Sequence, residues 1–453
     1  MNTKANETLC VLACSLIAGT TIGISGCADL QEEDIFVESS AVLGDRIPGG
    51  STNDENFAAF KANFQAEEEI DEGLGPIFNA EGCAVCHDAG AIGGASATRI
   101  ERRYGRFVNG VFDPLANRGG SLRQLFTVGR FTGLNGQSCN PALEVEPVEA
   151  TVHNVGRLTT PLFGLGLVDS LPDSVFTGMA ASEPAATRGI ANIVNTVLPN
   201  DRDAGQSIGG ARVGRFGWKA GVPNLLQFAA DAYLNEMGIT TQSCFRGTSV
   251  TAFATESAPN GIPVPAGCDD LAPPAPAGVP AGTDDSVGSC AGGITKIQKD
   301  IDNFKRFMTN LAAPPRDLSN SGAIARGTPL YDSIGCANCH TRRVFTTPSP
   351  APNGVPGGIN FQPFSDFLAH DMGTLGDQIG NAGDTVAVTR RMRTAPLWGI
   401  RFRPLLLHDG RCTGTNVTCA INAHDGQGLT ARNNFNALTT TQRTDVVNFV
   451  LSM

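Results

Sequence analysis

Histidine, aromatic side chains and positive charge are all scarce in this chain. Its 453 residues include 6 His, 2 Trp and 3 Tyr, and 33 Lys and Arg stand against 44 Asp and Glu. The formal net charge of -11 argues against nucleic-acid binding, because a protein binds phosphates through a basic surface. The scarcity of histidine means that each imidazole can be considered separately as a metal ligand.

Long hydrophobic runs are confined to the start of the chain. An apolar run from Leu9 to Ile24 is followed by Ser25-Gly26-Cys27, and no later run approaches the length that spans a bilayer. This order predicts a signal peptide of the lipoprotein type over 1–26 and a tether over 27–52. We therefore expect a bacterial lipoprotein, periplasmic or anchored to the outer membrane, that contacts the membrane only through a lipid on Cys27. Plain secretion is the alternative.

Two short stretches carry the strongest chemical signal, Cys83-Ala84-Val85-Cys86-His87 and Cys336-Ala337-Asn338-Cys339-His340. Two cysteines three residues apart can form thioethers with both vinyl groups of one porphyrin, and the following histidine supplies an iron ligand. A zinc site, a redox dithiol or a chance match are the alternatives for one such motif. Its repetition in an exported chain favours two covalently attached c-type haems, with His87 and His340 bound to the irons.

The other cysteines favour disulfides. Beyond the signal, the lipid candidate and the two motifs, six remain: Cys139, Cys244, Cys268, Cys290, Cys412 and Cys419. An even number in an exported protein fits three disulfides. Cys412 with Cys419 is the easiest pair to propose because it closes a short loop, and the pairing of the other four stays open.

The segments around the two motifs repeat each other. An apolar stripe at helical spacing precedes each motif, a Pro-aromatic turn follows it, and a closing helix is predicted after each turn. The paired segments are Asp54 to Phe64 with Ile294 to Leu311, Arg157 to Gly164 with Met392 to Gly399, and Asn224 to Met237 with Thr441 to Leu451. This order predicts a mostly α fold of two cytochrome c-like domains from an internal duplication, with long loops and insertions.

The composition suggests where the two domains meet. We place the first c-type haem domain at 53–244 and the second at 291–453. Residues 245–290 are rich in Pro, Ala and Gly, and such a composition cannot bury a core. They are predicted to form a linker or a surface loop.

Further segments extend the pattern along the chain: Gly73 to Asn79, Pro161 to Leu167, Gly214 to Ala220, Asn235 to Thr240, Leu311 to Arg316, Phe364 to Gly373 and Leu407 to Arg411. With both motifs, they resemble the bacterial di-haem oxidoreductase family, which is related to the di-haem cytochrome c peroxidases. The resemblance runs from about residue 54 to the end. The chain departs from the family pattern after Arg411, where Cys412 to Cys419 intervenes and a segment that usually reads His-Gly-Gly-Glu reads His424-Asp425-Gly426-Gln427.

The resemblance implies His424 as the sixth ligand of the second haem. Met372 and Met392 are the competing ligands and would raise the reduction potential, and a surface turn is the ordinary alternative for His424. His370 is expected to be a buried structural histidine. His408 is expected to hold a propionate or a loop.

The first haem is expected to have an open distal site, because no histidine occupies the position equivalent to His424. His153 and Glu149 are candidates for acid-base work there, with a solvated acidic edge as the alternative for the glutamate. Lys219 either ligates iron or pairs with a propionate. The resemblance implies Trp398 as an electron bridge, with packing on porphyrin as the alternative. Glu236 is expected to pack or cap a helix.

These features predict an exported di-haem oxidoreductase in which the haems carry out the chemistry. Electrons enter at the second haem from a small redox protein or a quinol-linked donor. They reach a ligand-accessible first haem, where peroxide or another small oxidant is reduced. Three alternatives stay open: an electron-transfer cytochrome with both haems six-coordinate, a haem dioxygenase resembling the rubber-cleaving enzymes, and a redox or ligand sensor without turnover.

Overall fold

The computed structural model describes residues 42–97, 100–133, 136–199, 206–246, 248–250, 252–253, 268, 284 and 299–453. The predicted signal peptide, the tether as far as residue 41 and almost all of the predicted linker lie outside the described residues. Among the helices that are described, none is both long enough and apolar enough to cross a membrane.

The described helices are α1 (Asp54–Gln65), α2 (Cys83–Cys86), α3 (Leu165–Asp169), α4 (Asp173–Ser182), α5 (Leu225–Met237), α6 (Lys299–Asn310), α7 (Ser321–Ser333), α8 (Val386–Thr389), α9 (Val417–Ala423), α10 (Leu429–Ala437) and α11 (Thr440–Leu451). Three predicted helices are confirmed: the one around Phe57 is α1, and the two closing helices are α5 and α11. Asn53 and Asn224 cap α1 and α5, because each side chain accepts a backbone N–H of the first turn.

The described strands are short. They are β1 (Ile77–Phe78), β2 (Ile100–Val108), β3 (Val111–Asp113), β4 (Leu122–Arg123), β5 (Phe126–Thr127), β6 (Phe131–Thr132), β7 (Ser138–Cys139), β8 (Val152–Leu158), β9 (Ile193–Asn195), β10 (Ala211–Val213), β11 (Ser243–Phe245), β12 (Thr248–Val250), β13 (Phe345–Thr346), β14 (Asn360–Phe361), β15 (Ala369–Asp371), β16 (Arg391–Arg393), β17 (Leu405–Leu406) and β18 (Cys412–Thr413). Most form isolated antiparallel pairs.

The predicted fold class is wrong. The structure has 33% helix and 17% strand in several small antiparallel sheets, so it is not a mostly α, cytochrome c-like fold. The largest sheet pairs β2 with β3, β4 and β8, and all of these strands lie between the first motif and the Pro-aromatic turn. The sequence of β2, Ile-Glu-Arg-Arg-Tyr-Gly-Arg-Phe-Val, hides its strand character because charged residues fall on both faces.

Aromatic side chains form the centre of the main core. Phe57 and Phe64 of α1 pack against Phe307 of α6, with ring centroids 5.6 and 4.6 Å apart. Phe304 of the same helix packs against Tyr233 of α5 at 5.2 Å. Helix α6, which the sequence assigned to the second haem domain, therefore packs between α1 and α5, two helices assigned to the first haem domain. The domain boundaries themselves stay a prediction.

Close backbone approach fixes the position of α3 against this core. A Cβ at Gly166 would overlap the carbonyl group of Thr309 in α6, so only glycine allows the two helices to approach this closely. The Pro-aromatic turn that precedes α3 is thereby held beside α6.

Two disulfides are described. Cys412 is bonded to Cys419, which confirms the predicted pair, and Cys139 is bonded to Cys268. Cys290 lies outside the described residues, so the third predicted bridge is not described.

We expect Phe307→Ala to lower the free energy of unfolding by about 3–5 kcal/mol, because it leaves a cavity beside the rings of Phe57 and Phe64. Phe307 has no exposed surface, whereas Val148 is 98% exposed, so Val148→Ala serves as the control and changes stability little. Denaturant unfolding followed by circular dichroism measures both. Equal stabilities of the two variants would contradict this account of the core.

Candidate active site

The first Cys-x-x-Cys-His motif lies in the wall of a cavity of about 430 Å³. Cys83 and Cys86 begin and end the four-residue helix α2, and both line the cavity together with His87. Residues three apart lie on one face of a helix, so both sulfur atoms are presented to the same space. Cys83 and Cys86 are not joined by a disulfide.

His87 presents one ring nitrogen to the cavity as a potential ligand. Its Nδ1 lies 3.1 Å from the carbonyl oxygen of Gly94. Because a carbonyl only accepts, Nδ1 carries the hydrogen and Nε2 keeps the lone pair that a metal needs. Burial lowers the pKa of His87 to about 4, so the imidazole is neutral at physiological pH.

A polar cluster lines the same cavity. It consists of Glu101 and Arg103 from β2 and of Asp231 and Glu236 from α5. Glu101 is paired with Arg103, and its carboxyl group is hydrogen-bonded to that of Glu236. Two carboxyl groups can share a hydrogen bond only when one of them is protonated. The side-chain amide of Asn79 donates a hydrogen bond to Glu236 Oε2 at 3.0 Å.

The proton of this carboxyl pair belongs to Glu236. Burial raises the pKa of Glu236, and the neighbouring Glu101 raises it further. Burial also acts to raise the pKa of Glu101, but the charge and hydrogen bond of Arg103 outweigh it, and the pKa of Glu101 falls below its usual value. The cavity therefore holds one ionised and one protonated carboxyl group in contact.

The second motif lies in the wall of a cavity of about 550 Å³, which Cys336, Cys339, His340 and His424 all line. Nδ1 of His340 is 3.2 Å from the carbonyl oxygen of Phe364, and Nδ1 of His424 is 2.8 Å from that of Ala420. Each ring therefore keeps its lone pair on Nε2, as in His87.

The imidazoles of His340 and His424 are spaced to hold one metal ion. Their ring centroids are 6.4 Å apart. Metal–imidazole bonds of about 2 Å on both sides of one ion place the two centroids roughly 6 Å apart. His340 and His424 therefore fit an iron with two histidine ligands.

Two arginines of the second cavity, the buried Arg393 and the partly buried Arg403, fit an anionic ligand. Arg393 donates to the carbonyl oxygens of Gly217 and Thr394, and Arg403 to that of Pro396, while the buried Nε of Arg403 has no hydrogen-bond partner in the described part of the chain. Burial lowers the pKa of each guanidinium to about 10. Buried cations are costly without a counter-ion, and the propionates of a haem would supply one to each arginine.

The competing ligands for the second haem are also close. Met372 and Met392 both line the cavity. His370 uses both ring nitrogens, since Nε2 is 2.9 Å from Asp366 Oδ2 and Nδ1 is 3.7 Å from Cys339 Sγ. These contacts agree with a structural role for His370. His370, Asp366 and Cys339 offer ligand atoms within 4.8 Å of one another, but a thioether at Cys339 would use that sulfur.

The tryptophan that lies between the two cavities is Trp218. It lines both of them, its Nε1 donates to the carbonyl oxygen of Leu158 at 2.6 Å, and its ring centroid is 6.1 Å from that of His408. Trp398 is 2% exposed, packs against Phe361 and is not among the residues described as lining either cavity. The geometry supports Trp218 and not Trp398 as a bridge.

Lys219 lines the first cavity, but its amine is occupied. Nζ lies 2.6 Å from Asp377 Oδ1, 2.6 Å from the carbonyl oxygen of Thr389 and 2.9 Å from that of Arg391. Three acceptors use all three hydrogens of an ammonium group, so no lone pair is available for iron. Although burial lowers the pKa of Lys219 to about 8, Asp377 favours the charged form.

The surface positions of His153 and Glu149 do not support a catalytic role. His153 is paired with Glu146, and Glu149 with Arg118, outside the lining of both cavities as described. The side chain of His153 is 62% exposed. The glutamates before His153 do not form the solvated edge of the alternative prediction, because Glu144 is buried and the side chain of Glu146 is only 19% exposed.

Sequence reasoning missed Glu101, Arg103, Arg393 and Arg403, and it treated Glu236 as a packing or capping residue. Glu101 and Arg103 are two residues apart in a strand, so they share a face. This spacing could have predicted that Glu101 and Arg103 form a pair, but only after β2 had been recognised as a strand.

A family model described as "Di-haem oxidoreductase, putative peroxidase" matches residues 137–453, which is more than half of the chain. The matched region contains the second motif, Trp218 and Glu236, and the first motif lies before it. No curated protein matches the chain. The resemblance predicted from the sequence is thus confirmed, and the chain belongs to the di-haem oxidoreductase family.

Proposed function

We propose that both motifs carry covalently attached c-type haems and that the enzyme reduces peroxide at the first haem. His87 ligates the first iron, and His340 with His424 ligates the second. The observation that carries this proposal is the difference between the cavities. The second contains two facing imidazoles, whereas His87 is the only histidine described in the lining of the first, which contains a carboxyl pair instead.

The carboxyl pair of the first cavity moves the protons that peroxide reduction needs. Reduction of one peroxide consumes two electrons and two protons and yields two water molecules. The haems, when bound, supply the electrons and the metal centre at which the oxygen–oxygen bond is cleaved. Glu101, ionised, accepts the proton of the incoming peroxide, and Glu236, protonated, donates to the departing oxygen, which leaves as the first water. The two protons that the reaction consumes enter from solvent, complete the second water and return the pair to its starting protonation. Arg103 keeps Glu101 ionised until the peroxide arrives.

Trp218 provides the route between the two haem sites. It contacts both cavities, and its indole N–H is fixed by the carbonyl of Leu158. We propose that electrons from a small redox protein or a quinol-linked donor enter at the second haem and pass by way of Trp218.

The competing proposal is an electron carrier with both haems six-coordinate. Met237 and Met308 line the first cavity and are the residues that would provide a sixth ligand there. Electron paramagnetic resonance of the oxidised protein distinguishes the two proposals, because an open first haem gives a high-spin signal and a methionine-ligated one does not.

We also propose that the protein is exported and anchored through a lipid on Cys27. This proposal is supported by the amino-acid order of the first 27 residues. Anchoring would place both haems in the compartment where c-type haems and disulfides are formed.

We expect Glu236→Gln to lower kcat/KM for hydrogen peroxide by about 10²- to 10⁴-fold, because an amide cannot supply the proton. Since the raised pKa keeps Glu236 protonated at neutral pH, activity is lost as pH rises through that pKa, and this alkaline limb disappears in the variant. Glu149→Gln is the matched surface control and retains activity. A wild-type rate for Glu236→Gln would contradict the assignment.

We expect His424→Ala to convert the second haem from a low-spin to a high-spin or exogenously ligated state, because it removes one of the two facing imidazoles. Optical and paramagnetic resonance spectra measure the change, and the first haem is an internal reference. His153→Ala is the surface control. An unaltered second-haem spectrum in His424→Ala would transfer the ligand role to Met372 or Met392.

We expect Trp218→Phe to slow electron transfer between the haems several-fold, because it shortens the aromatic contact between the cavities. Stopped-flow reduction followed at each haem measures the rate. Trp398→Phe, which changes the other tryptophan, is expected to lower stability and to leave the rate unchanged. Slower electron transfer in Trp398→Phe with an unchanged rate in Trp218→Phe would indicate that Trp398 is the bridge.

A further inference from the structure

The imidazole of His424 is oriented by a very short helix. Helix α9 has seven residues, and His424 is the residue that follows its last turn. Nδ1 of His424 donates to the carbonyl oxygen of Ala420, one turn earlier, so the ring direction depends on that turn remaining helical. Isolated helices of this length are unstable in water, so α9 requires support from its surroundings.

A disulfide joins this helix to the wall of the second cavity. Cys419 lies in α9 directly before Ala420, and it is bonded to Cys412 of β18. Cys412 is buried and pairs with Leu406 of β17, which lines the cavity. The bridge therefore fixes the residue next to the carbonyl that orients His424.

The other side of His424 is held by hydrogen bonds. Asp425 Oδ2 accepts from the backbone N–H of Thr374 at 2.9 Å and from its hydroxyl at 2.6 Å. Gly426 has a φ of 56°, and a Cβ there would overlap the carbonyl oxygen of Asp371. These contacts anchor the residues after His424. The helix before it is capped by Asn416, whose side chain accepts the N–H of Cys419, and it buries Val417 and Ala420 in the core. The disulfide adds a covalent link to this support.

We propose that the Cys412–Cys419 disulfide is a positioning element for the sixth ligand of the second haem. It holds α9 helical, and α9 holds the His424 ring toward His340. The proposal rests on the proposed function in so far as His424 is taken as that ligand. The bridge is a feature of this chain's own sequence, within the segment that departs from the family pattern.

The test is the double variant Cys412→Ser with Cys419→Ser in the full chain with both haems attached. We expect a high-spin fraction to appear at the second haem. We also expect imidazole or cyanide to bind that haem about tenfold more tightly, because apparent affinity follows the fraction of molecules in which the site is open. The first haem keeps its spectrum and its ligand affinity, and it thereby reports that the variant is folded.

The matched control removes the other described bridge, with Cys139→Ser and Cys268→Ser. It eliminates a disulfide without touching α9, so the second haem stays low-spin. If the first double variant does not fold, the Cys139→Ser, Cys268→Ser protein is treated after folding with a water-soluble phosphine and then alkylated. Peptide mapping verifies that Cys412 and Cys419 are modified before spectra are recorded.

The outcomes separate this inference from the ligand assignment. A low-spin second haem with wild-type ligand affinity after loss of the bridge, alongside a changed spectrum in His424→Ala, overturns the positioning role and leaves the assignment intact. An unchanged spectrum in His424→Ala overturns the assignment itself. Equal opening of the second haem in both disulfide variants would show general destabilisation and would also overturn the proposal.

Discussion

The site chemistry depends on one repeated interaction, a histidine Nδ1–H donated to a backbone carbonyl. His87 donates to Gly94, His340 to Phe364 and His424 to Ala420. In each case the hydrogen bond fixes the tautomer, leaves the lone pair on Nε2 and orients the ring. Because the acceptors are main-chain atoms, ligand geometry is set by the local backbone fold and not by another side chain. The short α2 and α9 helices matter for this reason.

The two cavities differ in the charge they contain, and the proposed function rests on this difference. The second has two guanidinium groups, the buried Arg393 and the partly buried Arg403, which suit the fixed carboxylates of a porphyrin. The first has a carboxyl pair that shares a proton, in addition to the cation of Arg103. In the proposed function the shared proton serves the haem at which peroxide is reduced, whereas the guanidinium groups offset the charge of the propionates at the other haem.

The sequence could predict those features that depend on residues close to one another along the chain. The haem motifs, the amphipathic helix at Phe57 and the Cys412–Cys419 loop are set by neighbouring residues, and all are found in the structure. The fold class was wrong because a five-residue motif says nothing about the residues around it, and two-residue strands have too little periodicity to detect. The carboxyl pair and the choice of Trp218 over Trp398 arise from contacts between distant segments, which periodicity cannot show.

The repeat in the sequence also concealed how the two halves share a core. Phe304 and Met308 of α6 line the first cavity, although this helix lies in the segment that the sequence assigned to the second haem domain. Helix α1, which carries Phe64 beside His87, packs against α6, although the predicted linker separates the two helices in the sequence. A helix from the second half of the chain thus forms part of the wall of the first cavity. The two halves therefore share one core, and a change in the packing of α6 reaches the first motif, which a pair of independent cytochrome domains would not allow.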